Sequence, residues 1–265
     1  MKRIVFLMCS PTYFTVDYEI NPWMHKHDQV NVAKAKQEFL RLKTLYLRLG
    51  CKVFSLAPVK NLPDMVFTAN GAVVHNKTAL ISNFRYAQRR AETSVFKHWF
   101  RQHGFCVVSL PRSAILEGQG EAFFVNGHIF AGYGFRANRA SHMVLARTFG
   151  KPVISIKLVD PRWYHLDTCF CPLKDGIVLY YPGAFDAASR SLIKTLTAQA
   201  IPVTKKEALD FVCNSVPIGN TLVTGARPSS ITISRLKKIG YAVRTVALTE
   251  FKKSGGGARC LTLSL

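Results

Sequence analysis

The segment "AFFVNGHIFAGYGFRANRASHMVLARTFGKPVISIKL" spans residues 122–158 and contains one complete structural repeat. Two apolar runs flank Asn126-Gly127, a dipeptide typical of the tight turn in a β-hairpin. Residues 137–150 then place apolar side chains at helical spacing, and the segment ends at Gly150, a common helix stop. The apolar run 152–158 predicts one more strand. The order strand–strand–helix–strand is therefore the unit whose recurrence decides the fold.

The same unit recurs along the chain at intervals of about 44 to 51 residues. Hairpin turns are predicted at three further places, which are Asn76, Asp175-Gly176 and Gly219-Asn220. A fifth unit is divided between the chain ends: its helix and strand occupy 33–57, and its hairpin pairs "CLTLSL" (260–265) with "RIVFLMC" (3–9). Five copies in one chain predict an α/β fold, a five-bladed pseudo-fivefold α/β propeller of strand–strand–helix–strand repeats.

The bulk composition is that of a globular protein large enough to bury a core. The chain has 265 residues, of which 48% are hydrophobic, and we expect one catalytic domain over residues 1–265. No stretch approaches the roughly 18 apolar residues that a transmembrane helix needs. Seven cysteines at irregular spacing, without a secretion signal, favour reduced thiols over a disulfide framework. These features predict a cytoplasmic location and no membrane partner.

Net charge is the most unusual bulk property. Lys and Arg number 36 against 15 Asp and Glu, which gives +21 and favours an anionic partner such as nucleic acid or an acidic protein. The bases are scattered rather than clustered, so a solvated basic surface explains them as well. The pairs His25–His27 and Cys169–Cys171 lack further ligands at zinc-site spacing, and we expect no metal. The sequence leaves the oligomeric state open.

Polar residues recur in the five joints, the segments that connect the last strand of each repeat to the next hairpin. If the repeats are radial, equivalent positions in the joints face one centre. In chain order the joints deliver Asp64 and Asn70, Glu117 and Glu121, His165 and Asp167, Asn214, and Cys260. Four of the 15 acidic residues thus lie at equivalent places, which predicts a cation bound at the centre.

A thiol, an imidazole and carboxylates together are suited to covalent catalysis. A Cys260 thiolate is a nucleophile, His165 moves protons near neutral pH, and carboxylates hold a planar guanidinium through paired hydrogen bonds. The run Gly255–Gly257 ahead of Cys260 favours a functional thiol there. If the third joint is a strand, His165 and Asp167 point to the same face. The cysteines expected to pack as small apolar residues are Cys9, Cys51, Cys106 and Cys213.

Several motifs resemble those of the guanidino-group-modifying, or pentein, superfamily, which includes arginine deiminases, dimethylarginine dimethylaminohydrolases and amidinotransferases. The motifs are "INPWM" (20–24), "PDMVFTAN" (63–70), "EGQGEAF" (117–123), "GYGFR" (132–136), "WYHLDTCFCPL" (163–173), "YYPGAFD" (180–186) and "GGGARCLTL" (255–263). The resemblance covers nearly the whole chain and is strongest to the arginine dihydrolase branch, found in cyanobacterial arginine-to-ornithine enzymes. The fold of the family is a five-bladed α/β propeller, which agrees with the repeat.

The resemblance implies a role for each residue at a matching motif position. Cys260 is implied as the nucleophile, His165 as the general acid and base, and Glu117 as the carboxylate that positions the imidazole and the guanidinium. The implied substrate-binding residues are Asp64 and Asp167 at the guanidinium nitrogens, and Asn70. Arg89, Arg136 and Asn21 are implied at the substrate α-carboxylate and α-amine, and Glu121 stands where the family pattern has Asp.

The activity implied by the resemblance is hydrolysis of arginine through a covalent amidino-thioether, without a metal or an organic cofactor. Asn70 favours the dihydrolase branch, which yields ornithine, carbon dioxide and ammonia, because deiminases and dimethylarginine hydrolases have Asp there. A deiminase or dimethylarginine hydrolase that stops at citrulline is the alternative, and an amidinotransferase ranks below it. The alternative of a different class is a non-enzymatic module that binds nucleic acid or an acidic partner through its basic surface.

Overall fold

Five three-stranded sheets form the framework of the protein. The computed structural model describes residues 3–265, so the first two positions of the predicted domain lie outside the described residues. Each sheet has a central strand that pairs antiparallel with one neighbour and parallel with the other. The strands within residues 3–265 are β1 (Val5–Cys9), β2 (Lys52–Leu56), β3 (Ala72–His75), β4 (Thr78–Ile81), β5 (Cys106–Ser109), β6 (Ala122–Val125), β7 (His128–Tyr133), β8 (Val153–Lys157), β9 (Phe170–Pro172), β10 (Ile177–Tyr180), β11 (Gln199–Pro202), β12 (Val216–Ile218), β13 (Thr221–Thr224), β14 (Ala242–Thr245) and β15 (Leu263–Ser264).

The strand order closes the chain into a ring. Four sheets are built from consecutive strands, whereas the fifth has the order β15-β1-β2 and so joins the two ends of the chain. In that sheet Phe6 lies opposite Ser264 and Leu7 opposite Leu263. The five-bladed propeller is confirmed, including the blade predicted to be split between the termini.

The repeat at residues 122–158 shows why these residues form these elements. Asn126 and Gly127 both have positive φ, 47° and 77°, which is the backbone of a type I′ hairpin turn. The helix that follows starts where the Asn138 side chain accepts a hydrogen bond from the Ser141 N–H, and it ends at Gly150 with φ 62°. The Asn-Gly turn and the helix stop predicted from the sequence are both confirmed.

Helices connect the central strand of each blade to its parallel neighbour. Those of the five repeats contact the strand that follows them. The α-helices within residues 3–265 are α1 (Val32–Arg48), α2 (Ala87–Arg90), α3 (Glu92–Gln102), α4 (Arg139–Phe149), α5 (Ala187–Leu196), α6 (Lys205–Leu209), α7 (Ser230–Lys238) and α8 (Thr249–Lys252). The break between α2 and α3 and the short helices α6 and α8 in the joints were not predicted from the sequence.

One local prediction is wrong, and the strand considered for the third joint is absent. The segment with His165 and Asp167 is not a strand, because Leu166–Thr168 forms a 3₁₀ turn in which the Thr168 N–H bonds to the His165 carbonyl at 3.2 Å. The two side chains therefore point to different partners. Cys106 is exposed, because it begins β5, an outer strand of its blade.

The described residues hold no helix suited to a membrane and no group of metal ligands. Between residues 3 and 265, no helix is both long and apolar enough to cross a membrane. Within the same range, no three His, Cys, Asp or Glu side chains are grouped so that they could hold a metal ion.

Candidate active site

The joints meet where the propeller closes, and they hydrogen-bond to one another. The Ala69 N–H of the first joint bonds to the Cys260 carbonyl at 3.1 Å, and the Arg259 N–H bonds to the Asn214 carbonyl at 3.2 Å. The Asn214 side chain in turn donates to the Asp167 carbonyl at 3.1 Å. Residues far apart in sequence are thus held together by backbone as well as side-chain contacts.

The glycine run before Cys260 has a steric cause at each position. Gly255 has φ 78°, and a Cβ there would lie 2.9 Å from the Tyr164 hydroxyl. A Cβ on Gly256 would overlap the Phe67 ring, and one on Gly257 would lie 3.0 Å from Asn214 Oδ1. The chain therefore passes close to its neighbours at all three positions, most tightly at Gly256, on its way to Cys260.

Cys260 is a buried thiol between a carboxylate and an amide. Its Sγ lies 3.2 Å from Asp167 Oδ2, to which the thiol donates, and 3.0 Å from Asn214 Nδ2. Burial, reinforced by Asp167, raises the pKa of Cys260 well above its ordinary value. Burial also raises the pKa of Asp167 to about 7. The thiol is therefore protonated in this structure at neutral pH, and it needs a cation nearby to ionise.

His165 is held in one tautomer by Glu117. The His165 Nε2 lies 2.8 Å from Glu117 Oε2, and the same oxygen accepts from Arg136 at 2.9 Å. Burial disfavours a charge on Glu117, but Arg136 and His165 outweigh it and keep its pKa well below the ordinary value. Burial lowers the pKa of His165 to about 4 although Glu117 opposes this. Because an ionised carboxylate can only accept, Nε2 carries the proton and Nδ1 is a free base.

Five predicted site residues each have a buried polar atom without a hydrogen-bond partner among residues 3–265. Such atoms are rare in folded proteins and mark places where a ligand can bind. The five atoms are Asp64 Oδ1, Asn70 Nδ2, Glu121 Oε1, His165 Nδ1 and Asp167 Oδ1. They offer hydrogen-bond acceptors and one amide donor, which match a guanidinium group and its ureido product.

Asn70 presents a donor, and the orientation of its amide is fixed. Its Oδ1 accepts from the Arg89 guanidinium at 2.8 Å. Because Arg89 can only donate, the opposite edge of the amide must be the NH₂ group. That Nδ2 is the unpartnered atom, and it lies against Gly120, where a Cβ would approach it to 2.5 Å.

The remaining acidic residues are also positioned by named contacts. Asp64 Oδ2 accepts from the Tyr18 hydroxyl at 2.9 Å, which leaves Oδ1 free. Glu121 Oε2 accepts from the Leu166 N–H at 3.3 Å. Burial, with Glu117 and Asp167 nearby, raises the pKa of Glu121 well above its ordinary value. The extra methylene of Glu121 fits because Gly132 lies opposite, where a Cβ would lie 2.6 Å from Oε2.

The residues predicted to grip the substrate backbone are engaged by the protein itself. Arg89 pairs with both carboxylate oxygens of Glu92 at 2.8 Å and also holds Asn70. Arg136 donates to Glu117 and to the Ile20 carbonyl. The Asn21 side chain donates to the Ser254 carbonyl and accepts from the Trp23 N–H. This arrangement favours a supporting role for all three over direct contact with a substrate.

The site is enclosed in this structure. Cys260 is 2% exposed and His165 1% exposed. A cavity of about 610 Å³ lies elsewhere, between the blade formed by β15, β1 and β2 and the blade formed by β3, β4 and β5. None of the predicted site residues lines this cavity. The segment with Tyr18 and Ile20 contacts Asp64 and Arg136.

Asn214 was predicted from the sequence to lie at a joint but without a role, and Tyr18 and Glu92 were not predicted as site residues. Asn214 had a signal, because it occupies the joint position that acids or Cys260 occupy elsewhere. Tyr18 lies in the long segment before α1, where no repeat predicts its direction. Glu92 is on α3, and only the folded structure shows that its two carboxylate oxygens accept from Nε and Nη2 of Arg89.

Five blades closed around a buried thiol, an imidazole and carboxylates define the guanidino-group-modifying, or pentein, class of proteins. A family profile described as "N,N dimethylarginine dimethylhydrolase, eukaryotic" matches residues 10–265. The chain belongs to this family.

Relatives with known names agree with this placement. The chain is 39% identical over 270 residues to the bifunctional arginine dihydrolase/ornithine cyclodeaminase AgrE of Nostoc sp., and the match covers 99% of the chain and 38% of AgrE. It is 36% identical over 260 residues to the N(G),N(G)-dimethylarginine dimethylaminohydrolase of Mycobacterium tuberculosis, covering 98% of the chain and 85% of that relative. The crystal structure of the N-terminal domain of ArgZ, a cyanobacterial arginine dihydrolase, matches with a TM-score of 0.95 at 38% identity, covering 98% of this chain and 97% of that one.

Proposed function

We propose that the chain is a cysteine-dependent hydrolase that converts arginine to ornithine, carbon dioxide and ammonia. The observation that carries the proposal is an unpartnered amide donor at Asn70 together with unpartnered carboxylate oxygens at Asp64 and at Asp167, the carboxylate that contacts the Cys260 thiol. The similarity to the ArgZ domain, whose structure is that of a cysteine-to-serine variant bound to substrate, supports it. The chain spans 38% of the length of AgrE, so the proposal concerns only the guanidine-hydrolysing step.

The first half-reaction begins when the guanidinium binds. Asp64 and Asp167 hold its N–H groups through charge-assisted hydrogen bonds, and its positive charge favours ionisation of Cys260. The neutral His165 Nδ1 takes the thiol proton, and the Cys260 thiolate attacks the guanidino carbon. His165 then returns the proton to the departing nitrogen, so the C–N bond breaks, ammonia leaves and an amidino-thioether remains.

The second half-reaction regenerates the thiol. His165 deprotonates a water molecule, hydroxide adds to the amidino carbon, and the C–S bond breaks to give citrulline. For the dihydrolase, the thiolate attacks the ureido carbon of the bound citrulline, a second ammonia leaves and a thiocarbamate forms on Cys260. A second water molecule then adds to its carbonyl carbon, and the C–S bond breaks to free the thiolate. The resulting carbamate decomposes to ornithine and carbon dioxide. The sum is arginine plus two water molecules giving ornithine, carbon dioxide and two ammonia molecules.

Product analysis of the purified protein with arginine tests this proposal, and Asn70→Asp supplies the comparison. We expect ornithine and two ammonia molecules per arginine from the unmodified protein. In Asn70→Asp an acceptor replaces the donor for the neutral ureido group. Citrulline should therefore accumulate, with one ammonia released per arginine, and the rate of citrulline turnover should fall at least about 100-fold. Citrulline as the final product of the unmodified protein would overturn the dihydrolase assignment.

Dimethylarginine is the second candidate substrate, because the matching family profile and the mycobacterial relative both carry that activity in their names. The same assay with dimethylarginine separates the two, since its hydrolysis releases dimethylamine. An amidinotransferase would instead require an amine acceptor. The single domain over 1–265, the cytoplasmic location and an anionic partner for the basic surface all stay predictions.

Arginine turnover should also depend on pH through Asp167. The pKa of Asp167 is raised to about 7 by burial, so this carboxyl is neutral below that pH in the free protein and binds a cation poorly. We expect kcat/KM for arginine to fall as pH decreases through about 7, and Asp167→Asn to lower it and remove that limb. A pH profile of kcat/KM measures this. An unchanged acidic limb in Asp167→Asn would assign it to another group.

A further inference from the structure

Asn214 lies between the nucleophile and the third joint, and every polar atom of its side chain is used. The residue is fully buried. Its Oδ1 accepts from the N–H groups of Gly257, Arg259 and Cys260 at 3.1, 3.0 and 3.1 Å. Its Nδ2 donates to the Asp167 carbonyl at 3.1 Å and contacts Cys260 Sγ at 3.0 Å. One side chain thus ties three joints together at the reacting atom.

The direction of the Asn214 amide follows from its partners. Three backbone N–H groups converge on one atom, and only the amide oxygen can accept them. The other end is therefore NH₂, which donates to the Asp167 carbonyl and presents its second hydrogen to sulfur. The orientation is derived from donor and acceptor chemistry alone.

The two polar side-chain contacts of Sγ respond in opposite ways when the thiol ionises. Ionised Asp167 can only accept, so its contact is favourable to S–H and repulsive to a thiolate. Asn214 Nδ2 can only donate, so its contact strengthens as negative charge develops on sulfur. Among the hydrogen-bonding side chains at Sγ, Asn214 is therefore the one that favours the reactive form.

The backbone around Asn214 is shaped to hold it there. Phe211 has φ 59°, a conformation that is uncommon for an aromatic residue and that persists only where packing enforces it. The Asn214 N–H bonds back to the Phe211 carbonyl at 2.9 Å, and the Phe211 ring packs on Trp23 with ring centroids 4.7 Å apart. A strained turn thus fixes the amide instead of leaving it free to rotate.

We propose that Asn214 is a catalytic residue that stabilises the Cys260 thiolate through its Nδ2–H, while its Oδ1 positions the nucleophile turn. This inference rests on the proposed function of Cys260 as a nucleophile. The fourth joint supplies no acid or base to the proposed mechanism. Through Asn214 it would instead stabilise the negative charge on sulfur.

The test uses Asn214→Asp, which keeps an acceptor for the three N–H groups but removes the donor to sulfur. Asn214→Ala removes both functions without adding a charge, and Asn220→Asp at an exposed hairpin turn is the control for the change in net charge. The readout is the rate at which iodoacetamide alkylates Cys260 as a function of pH, followed by mass spectrometry of the Cys260 peptide. This measurement needs no turnover, so it remains informative if arginine is not the substrate. The charged or titratable groups around the thiol that stay constant are Asp167, Tyr164 and Arg259.

We expect alkylation of Cys260 in Asn214→Asp to require higher pH and to be about 10- to 100-fold slower near neutrality, with kcat for arginine lowered similarly and KM little changed. Asn220→Asp should match the unmodified protein. If Asn214→Asp alkylates normally while Asn214→Ala does not, Asn214 only positions the turn and the proposal is overturned. Slow alkylation together with absent arginine turnover in the unmodified protein would support the thiolate contact and reject the substrate.

Discussion

Cys260→Ser is expected to abolish arginine turnover, with a loss of at least about 10⁴-fold in kcat. A serine hydroxyl has a far higher pKa than a thiol, and neither Asn214 nor a bound guanidinium can ionise it at neutral pH. The fold should remain, because a hydroxyl can keep both contacts of Sγ, the one to Asp167 and the one to Asn214. We expect the free energy of unfolding to change by less than about 1.5 kcal/mol.

Cys213→Ser is the matched control, since Cys213 is fully buried in the apolar core next to the active site joint. There the new hydroxyl lies among apolar side chains, so stability should fall while arginine turnover per folded molecule persists. Steady-state kinetics and urea unfolding of both variants give the comparison. Acid quenching of the unmodified protein during turnover should trap an amidino adduct on the Cys260 peptide. Substantial turnover by Cys260→Ser would rule out Cys260 as the nucleophile.

The fold could be predicted because each repeat carries its own local signals. Asn126-Gly127 and Gly150 are required by positive φ at those positions, and such requirements are visible in a single sequence. The closure of the ring could be predicted because four repeats have a complete hairpin, and only the two terminal segments lack a hairpin partner. The short length of β15 could not be predicted. Residues 255–262 form the turn that places Cys260 at the centre, so only Leu263 and Ser264 remain for the strand.

The sequence also allowed a prediction of which residues approach the centre of the ring. Equivalent joints of a closed ring face one centre, so residues distant in sequence, such as Asp64 and Cys260, could be grouped without any contact information. The joint residues predicted from the repeat, Asn214 among them, do converge in the structure. Their individual roles in catalysis and binding stay predictions until they are tested.

The pairing of side chains within the site could not be predicted. Repeat position says which residues approach the centre, but not that Arg89 is taken up by Glu92 or Arg136 by Glu117. An arginine near a predicted anion site looks the same in sequence whether it binds substrate or holds a carboxylate. The 3₁₀ turn that separates His165 from Asp167 was equally hidden, because alternating residues predict a strand only where the chain is extended.

Glu117→Gln is expected to destabilise the protein and to lower its activity. Glu117 is fully buried, and its Oε2 accepts from both His165 and Arg136 while Oε1 accepts from the Arg85 N–H at 3.2 Å. Donors therefore approach both oxygens, and a glutamine amide must turn its NH₂ group toward one of them. The buried Arg136 also loses its counter-charge. We expect the free energy of unfolding to fall by about 3–5 kcal/mol.

Activity in Glu117→Gln should fall for a separate reason, by about 10²- to 10⁴-fold in kcat. The carboxylate supports the protonated form of His165 against burial, so without it the imidazolium that donates to the leaving nitrogen becomes harder to form. The double variant Glu117→Gln/Arg136→Met separates the two effects. Removing the unpaired Arg136 cation should restore part of the stability, which urea unfolding measures. It should restore none of the kcat, which is measured as ornithine formation at saturating substrate. If kcat recovers together with stability, Glu117 acts as a partner of Arg136 and not through His165.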